Sequence, residues 1–183
     1  TLPMPGGGTA SFRLTESPVM APELQAQFPE IRTYTGRGIE DPTALLKCDL
    51  TPHGFHAMVI SATHSTVFVD PYSVGDSEHY VVYFKKDLLK QNGESFECIT
   101  ETSDLQELHL GETTAKLQGD CQLRRYRLAL ACTGEYATFH GGTVPTALAA
   151  MNTTMNRVNG VYEIDLAITM QLVPNNNLLV FLN

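Results

Sequence analysis

The most constraining feature of this sequence is residues 124–173, where the hydrophobic period changes from that of a strand to that of a helix and back. Within residues 126–132, large apolar side chains alternate with arginine and alanine, which predicts a strand inside a sheet. Residues 166–173 form a second apolar run of β-favouring side chains. Two strands separated by a helix predict a crossover that joins parallel strands.

The segment between these two strands predicts one long helix. Glycines between residues 134 and 142 indicate a loop, and Thr143 followed by Pro145 is typical of a helix start. Gly160 is the predicted helix end. Apolar side chains recur between these limits at spacings of three and four, which predicts one apolar stripe. The stripe consists of Val144, Ala147, Leu148, Met151, Met155 and Val158.

The first half of the chain has the pattern of an antiparallel sheet, because short runs rich in Val, Ile, Tyr and Phe are separated by turn residues. We expect strands at 10–15, 31–36, 45–50, 54–61, 66–70 and 79–85, with a short helix at 23–28. In the fourth of these strands, Ala57 and Val59 share one face, and His56 and Met58 share the other. We interpret residues 9–88 as one compact antiparallel unit.

Charge is distributed unevenly about residue 122. Residues 1–122 contain 8 Lys and Arg against 17 Asp and Glu, whereas residues 123–183 contain 4 against 3. The change predicts two units, 1–122 and 123–183, with an exposed acidic connector over about 87–122. A net charge of −8 argues against nucleic acid as a partner. No apolar run approaches the roughly 20 residues that span a bilayer.

Several runs resemble one known family. The C-terminal runs are YRLALA at 126–131, TGEY at 133–136, HGGT at 140–143 and MNRVN at 155–159. They resemble the opening of the catalytic domain in secreted bacterial reprolysin-like zinc metallopeptidases, of the metzincin clan. The runs at 16–24, 28–31 and 70–72 resemble the propeptide of that family. The zinc signature of the family, His-Glu-x-x-His followed by a third His, is absent, and we expect it beyond Asn183.

The resemblance implies an α+β fold class: an antiparallel β-rich propeptide, followed by the first β-α-β unit of an incomplete metzincin-type α/β catalytic domain. It implies a latent zinc metalloendopeptidase, or zymogen, whose propeptide aids the folding of the peptidase and holds it inactive. Zinc would activate water for peptide-bond hydrolysis with ligands outside this chain, so the chain alone is expected to be inactive. Calcium is a second candidate metal. The expected partners are the remainder of the catalytic domain and a protein or peptide substrate, in an extracellular setting.

Two residues directly before the catalytic unit are candidates for a latency ligand. A thiolate is a strong zinc ligand, so Cys121 is the first candidate for displacing the catalytic water. Asp120 is the alternative, because residues 117–120 weakly resemble the aspartate switch of astacin-like relatives. The competing interpretation is structural, with Cys121 in a disulfide to Cys132 or Cys98 and Asp120 in a turn.

Other polar residues suggest few further sites. An extracellular setting makes one disulfide plausible, and Cys48 with Cys98 is the preferred pair. His53, His56 and Asp49 are an alternative metal-ligand set, although no two histidines have the spacing of a helical zinc pair. We interpret these histidines as surface or sheet residues.

The loop after the first C-terminal strand contains two more candidates. His140 is interpreted as a loop or packing residue, and Glu135 as a solvated carboxylate, with calcium binding as its alternative. Arg124-Arg125 is a basic dipeptide that is either a processing site or part of a strand. We expect a maturation cut within 100–123 instead.

A second function remains open from the sequence alone. The chain would then be a secreted β-rich interaction module without catalytic activity. That interpretation requires residues 123–183 to complete a closed core with the N-terminal sheet.

Overall fold

The computed structural model describes residues 1–73, 75–88 and 122–182. These residues have an α+β fold with a large antiparallel sheet and a few helices, which confirms the predicted fold class. Strands β1 (Leu2–Pro3) and β2 (Thr9–Ala10) form a short N-terminal hairpin. The apolar side chains of Leu2 and Met4 pack this hairpin against the core of the large sheet.

The large sheet is a six-stranded meander in which each strand pairs with the next along the chain. Its strands are β3 (Phe12–Glu16), β4 (Arg32–Gly38), β5 (Leu45–Thr51), β6 (Gly54–Ile60), β7 (Val67–Pro71) and β8 (Tyr80–Phe84). All neighbours are antiparallel. Helix α1 (Pro22–Gln27) lies between β3 and β4, and a 3-10 turn, Lys85–Asp87, follows β8. The six strands predicted for the first half of the chain are confirmed to within two residues at either end.

The two faces of this sheet differ in chemistry. Ala57 and Val59 lie on one face, in an apolar cluster that includes Leu46 from the neighbouring strand β5. The opposite face buries Lys47 and Asp49 of β5, which are only 3% and 1% exposed. Charged side chains are buried this deeply only where a partner replaces water. The second face must therefore be covered by an element with matching polar groups.

The C-terminal part supplies that element within a strand–helix–strand unit, as predicted. It consists of β9 (Arg124–Leu128), α2 (Gly134–Phe139), α3 (Val144–Asp165) and β10 (Ile168–Leu172), followed by a 3-10 turn at Asn176–Leu179. Strands β9 and β10 are parallel, in a register that pairs Ile168 with Arg124 and Leu172 with Leu128.

The start of α3 follows the prediction. The Thr143 hydroxyl accepts a hydrogen bond from the Thr146 amide, and the Thr146 hydroxyl accepts one from the Thr143 amide, which forms a capping box. The loop predicted before α3 is wrong in one respect, because residues 134–139 form α2. The Thr133 hydroxyl caps α2 by accepting from the Tyr136 amide.

The predicted end of α3 is also wrong, since the helix continues past Gly160 to Asp165. A Cβ atom at Gly160 would lie 2.9 Å from Lys47 Cγ and 2.9 Å from Met58 Cε. This glycine therefore allows close approach of the helix to the sheet. The turn after the helix is made by Ala167, whose φ of 53° lies in the left-handed region that normally favours glycine.

Helix α3 packs against the large sheet on one side and against an apolar cluster on the other. One apolar cluster joins Leu148 and Met155 of α3 and Leu172 of β10 to residues from the segment 19–31. The contributors from that segment are Val19, Met20, Leu24 and Ile31. Residues on both sides of the predicted boundary at 122 therefore contribute to this cluster.

Strand β10 is held at its outer edge by a side chain and by a chain segment. The Asn159 side chain of α3 accepts from the Met170 amide and donates to the Met170 carbonyl, both at 2.8 Å. Two residues further, Leu172 donates its amide hydrogen to the Val19 carbonyl and accepts from the Ala21 amide. The segment around Met20 thus runs parallel to β10 as a third, one-bridge strand.

We predict that Gly160→Val lowers the free energy of unfolding by about 1–3 kcal/mol, because the added side chain must displace Lys47 and Met58. Urea denaturation measures the change. Ile164→Val, one turn further along α3 at a site that is 53% exposed, is the control and should change it by less than about 0.5 kcal/mol. Equal stability of Gly160→Val and the wild type would contradict the close approach.

Candidate functional site

A cleft of about 470 Å³ lies where the hairpins of the large sheet meet α2 and α3. The sheet and its connecting turns contribute one wall and the two helices contribute the other. The polar residues that line it include His53, His56, Asp70, His140, Thr153 and Arg157. The cleft therefore lies between the two parts predicted to be propeptide and catalytic unit.

A buried ion pair anchors one end of the interface between the helix and the sheet. Lys47 Nζ lies 2.6 Å from Glu163 Oε2 of α3 and donates a second hydrogen bond to Thr35 Oγ1 at 2.8 Å. These partners replace the water that the ammonium group loses on burial. Leaving either charge unpaired in this position would be strongly destabilising, so the pair sets the position of the helix on the sheet.

Asp49 is the second buried charge at this interface. Its Oδ1 atom accepts from the Thr153 hydroxyl of α3 at 2.8 Å and from His56 Nδ1 at 3.2 Å. One turn further along the helix, Asn156 Nδ2 donates to the Cys48 carbonyl at 3.0 Å. Side chains of α3 therefore reach strand β5 at two successive residues, which fixes the register of the helix against the sheet.

Arg157 and Asp70 form a second ion pair, across the cleft. The guanidinium group of Arg157 also lies over the Phe68 ring, 5.1 Å from its centroid, in a cation–π contact. The second oxygen of Asp70 accepts from the Tyr83 hydroxyl at 2.8 Å. Burial and this hydrogen bond raise the pKa of Tyr83 to about 12, so Tyr83 acts as a neutral hydrogen-bond donor.

His140 lies in an aromatic environment at the C-terminal end of α2. Its ring centroid is 4.4 Å from that of Tyr136, 4.9 Å from that of Phe139 and 6.0 Å from that of His53. Burial, and then the neighbouring His53, lower the pKa of His140 from its ordinary value of 6.5. His53 Nε2 is 2.8 Å from the Thr146 carbonyl and must donate, because a carbonyl oxygen only accepts.

The metal-ligand set of Asp49, His53 and His56 is not assembled. Asp49 contacts His56, whereas His53 is bound to the helix backbone at Thr146. Over residues 1–73, 75–88 and 122–182, no three His, Cys, Asp or Glu side chains come together as metal ligands. Zinc therefore does not fit the described part of this chain. Glu135 is an exposed residue in the first turn of α2, rather than the loop residue that was predicted.

The two candidate latency ligands, Cys121 and Asp120, lie outside the described residues, as does Cys98. Cys48 and Cys132 are free, buried thiols, which contradicts the preferred pairing of Cys48 with Cys98. Burial, with Asp49 next to it, raises the pKa of Cys48 to about 12, so this thiol is unreactive at neutral pH. Its role is to pack in the apolar cluster of the large sheet.

The basic dipeptide Arg124-Arg125 forms the start of β9, where the two residues pair with Ile168 and Thr169 of β10. This agrees with the interpretation of the dipeptide as strand residues. A protease requires an extended, accessible backbone, so cutting here would first require β9 to leave its partner strand.

Sequence reasoning missed the polar contacts that line the cleft, although it placed the strands and the helix that carry them. The partners of the ion pair between Asp70 and Arg157 are 87 residues apart, and those of the Thr153–Asp49 hydrogen bond are 104 apart. One usable signal was present. Asn152, Asn156 and Asn159 recur at helical spacing, which indicates a polar stripe along the helix. All three side chains of this stripe are buried in the structure.

Comparison with known protein families gives a match to the C-terminal part of the chain. Residues 123–179 match the family model described as metallo-peptidase family M12B, reprolysin-like. The match begins one residue before β9 and ends with the turn Asn176–Leu179, so it coincides with the strand–helix–strand unit. It covers less than half of the chain, and the resemblance of residues 1–122 to a propeptide stays a prediction. No curated protein and no solved structure matches the chain.

None of the helices in the described ranges is long and apolar enough to cross a membrane.

We predict that Thr153→Val lowers the free energy of unfolding by about 1.5–3 kcal/mol, because it removes a hydrogen bond to the buried carboxylate of Asp49. Thr154→Val is the matched control, since the Thr154 hydroxyl bonds to the Ala150 carbonyl of its own helix and to the side chain of Tyr136, rather than to a buried carboxylate. Chemical denaturation of both variants measures the difference. Equal losses in the two variants would show that the Asp49 contact contributes no more than an ordinary helix hydroxyl.

We also predict that the free energy of unfolding decreases as the pH is lowered below about 6.5. The reason is that the pKa of His140 is lower in the folded chain than in the unfolded chain. The unfolded chain then takes up the proton first, and stability declines until the pH reaches the lowered pKa of the folded state. His140→Gln should flatten this decline when unfolding is measured between about pH 5 and pH 8. Parallel curves for the variant and the wild type would mean that another group causes the decline.

Proposed function

We propose that this chain is the N-terminal portion of a secreted latent zinc metalloendopeptidase, in which residues 1–122 are a propeptide and residues 123–183 begin the catalytic domain. The observation that carries the proposal is the agreement between the family match over 123–179 and the β9–α3–β10 unit. The matched segment thus corresponds to a complete structural unit, and its boundary coincides with the change in charge near residue 122.

The arrangement around α3 supports a role of the N-terminal part in folding. The parallel pair β9 and β10 covers one side of the helix, and the large sheet covers the other, through Lys47, Asp49 and Cys48. A helix of this length needs packing against other elements to be stable. Residues 1–88 therefore serve as the surface on which the first catalytic unit is assembled.

The zinc of the proposed peptidase would be bound by residues outside this chain. The 183-residue sequence contains no His-Glu-x-x-His motif. Moreover, the described residues bring no ligand set together. What this chain contributes to the proposed activity is a positioned strand–helix–strand unit and the inhibitory segment before it. The proposed substrate, a protein or peptide, rests on the family match alone.

The proposed inhibition acts through the segment that precedes β9. Cys121 is the first candidate for the latency ligand because a thiolate binds zinc in place of water. Asp120 is the alternative, with a carboxylate as ligand. We place the activating cut within 100–123, since the backbone at Arg124-Arg125 is held in β9.

A second candidate function is a secreted β-rich interaction module without catalysis. One observation favours it: Val19, Met20, Leu24 and Ile31 share a closed apolar cluster with residues of α3 and β10. A shared core is what such a module requires. We rank it second because it leaves the family match over 123–179 unexplained.

The test is to purify the chain from its natural source and identify every associated polypeptide by intact mass and peptide mapping. We predict a companion or continuation that carries His-Glu-x-x-His, together with zinc and a peptidase activity that a chelator abolishes and zinc restores. Finding the 183-residue chain alone, without zinc and without peptidase activity, would favour the interaction module.

In that longer protein, Cys121→Ser is expected to raise the peptidase activity measured before the maturation cut, and Asp120→Asn to leave it unchanged. The reverse result would assign latency to Asp120. No change in either variant would contradict a zinc-blocking role for both residues, and would leave steric coverage by residues 1–88 as the proposed cause of inhibition.

A further inference from the structure

We infer that residues 1–88 do not leave when the chain is cut, but remain bound to residues 122–182 as a lasting non-covalent subunit. The biological setting of this inference rests on the proposed function, since it concerns what a maturation cut achieves. The association itself rests only on the packing between the two parts. It can therefore be tested whether or not the protein has peptidase activity.

The first argument is the shared apolar cluster. Four of its buried residues come from the N-terminal part, namely Val19, Met20, Leu24 and Ile31. Four come from the C-terminal part, namely Leu148, Ala149, Met155 and Leu172. All are at most 6% exposed. Separation of the parts would expose both halves of the cluster to water, and the hydrophobic effect opposes this in proportion to the apolar area uncovered.

The second argument is the strand pairing at the outer edge of β10. Leu172 exchanges backbone hydrogen bonds with Val19 and Ala21, at 2.8 and 2.9 Å. The side chain of Gln171 adds a bond to the Met20 carbonyl at 3.1 Å. Loss of the N-terminal part would leave these β10 backbone groups without protein partners at a sheet edge. The pairing therefore adds directional contacts to the apolar cluster beside it.

The third argument is the fit between α3 and the large sheet. Gly160 brings the helix so close that the Cβ of any other residue would lie 2.9 Å from Lys47 Cγ. The Lys47 ammonium group is then enclosed between Glu163 and Thr35. Close packing of this kind is typical of the interior of a protein. Separation of the two parts would also take Glu163 away from Lys47, and a buried charge without its partner is strongly destabilising.

These contacts lie on both sides of α3, so the helix would lose an entire layer if residues 1–88 departed. A cut between residues 88 and 122 breaks none of them, because they all join residues outside that interval. We conclude that such a cut severs the covalent link between residues 1–88 and β9 without breaking these contacts. The large sheet stays in place.

The experiment uses the whole chain with a recognition sequence for a specific protease inserted between residues 100 and 101. After complete cutting, native mass spectrometry and size-exclusion chromatography should show one species that contains both fragments. We expect it to persist on dilution to about 1 μM, a concentration at which a complex with a dissociation constant of about 1 μM would be more than half dissociated. Two separate species at this concentration would overturn the inference.

Met20→Ala tests whether the shared cluster is the cause. Met20 is 1% exposed, and its truncation in a packed core should raise the dissociation constant of the cut protein by about thirtyfold or more. Leu14→Ala is the matched control, because Leu14 belongs to the same part of the chain but is 52% exposed. It should change the dissociation constant by less than about threefold. Equal effects of the two variants would overturn the inference.

The readouts separate this inference from the proposed function. Association of the fragments without any peptidase activity in the natural protein would leave the inference standing and contradict the proposed function. Conversely, a peptidase that becomes active only after the fragment with residues 1–88 has separated would contradict the inference and leave the proposed function intact.

Discussion

The structure depends on the requirement that α3 be covered on two sides. Its Leu148 and Met155 pack in the cluster shared with β10 and the segment 19–31, while its opposite side lies on strand β5 of the large sheet. The second contact is close only because residue 160 is glycine. The parallel pair β9–β10 is too small a sheet to be stable alone, so it depends on the large sheet through this helix.

The interface between α3 and the sheet combines burial with charge, and this combination favours one arrangement over others. Buried ion pairs contribute little net stability, because the cost of desolvation offsets most of the attraction. Breaking one pair is nevertheless expensive. Lys47 with Glu163, and Asp49 with Thr153, are satisfied only when the helix is in one register. A proposed folding aid benefits from a surface that binds its partner in one register, whereas a purely apolar surface would bind it in several.

Much of this fold could be predicted from the sequence, because strand alternation and the cap at Thr143 are local signals. The end of α3 could not be predicted, because the left-handed turn uses Ala167, whereas Gly160 allows the close approach of the helix to the sheet. The site was the least predictable part. Its polar pairs join residues that are far apart in the chain, and a single sequence carries no record of which distant residues meet. Arg157 could be placed on the helix, but its partner Asp70 could not be named.

The outer edge of β10 has a consequence for solubility. An open strand edge invites pairing with a strand from another molecule, which is a common route to aggregation. In this chain the Asn159 side chain occupies the backbone groups of Met170, and the segment around Met20 occupies those of Leu172. The edge is therefore closed from within the same chain, by an amide and a short stretch of backbone. A chain that had lost its first twenty residues would present this edge to its neighbours during synthesis and storage.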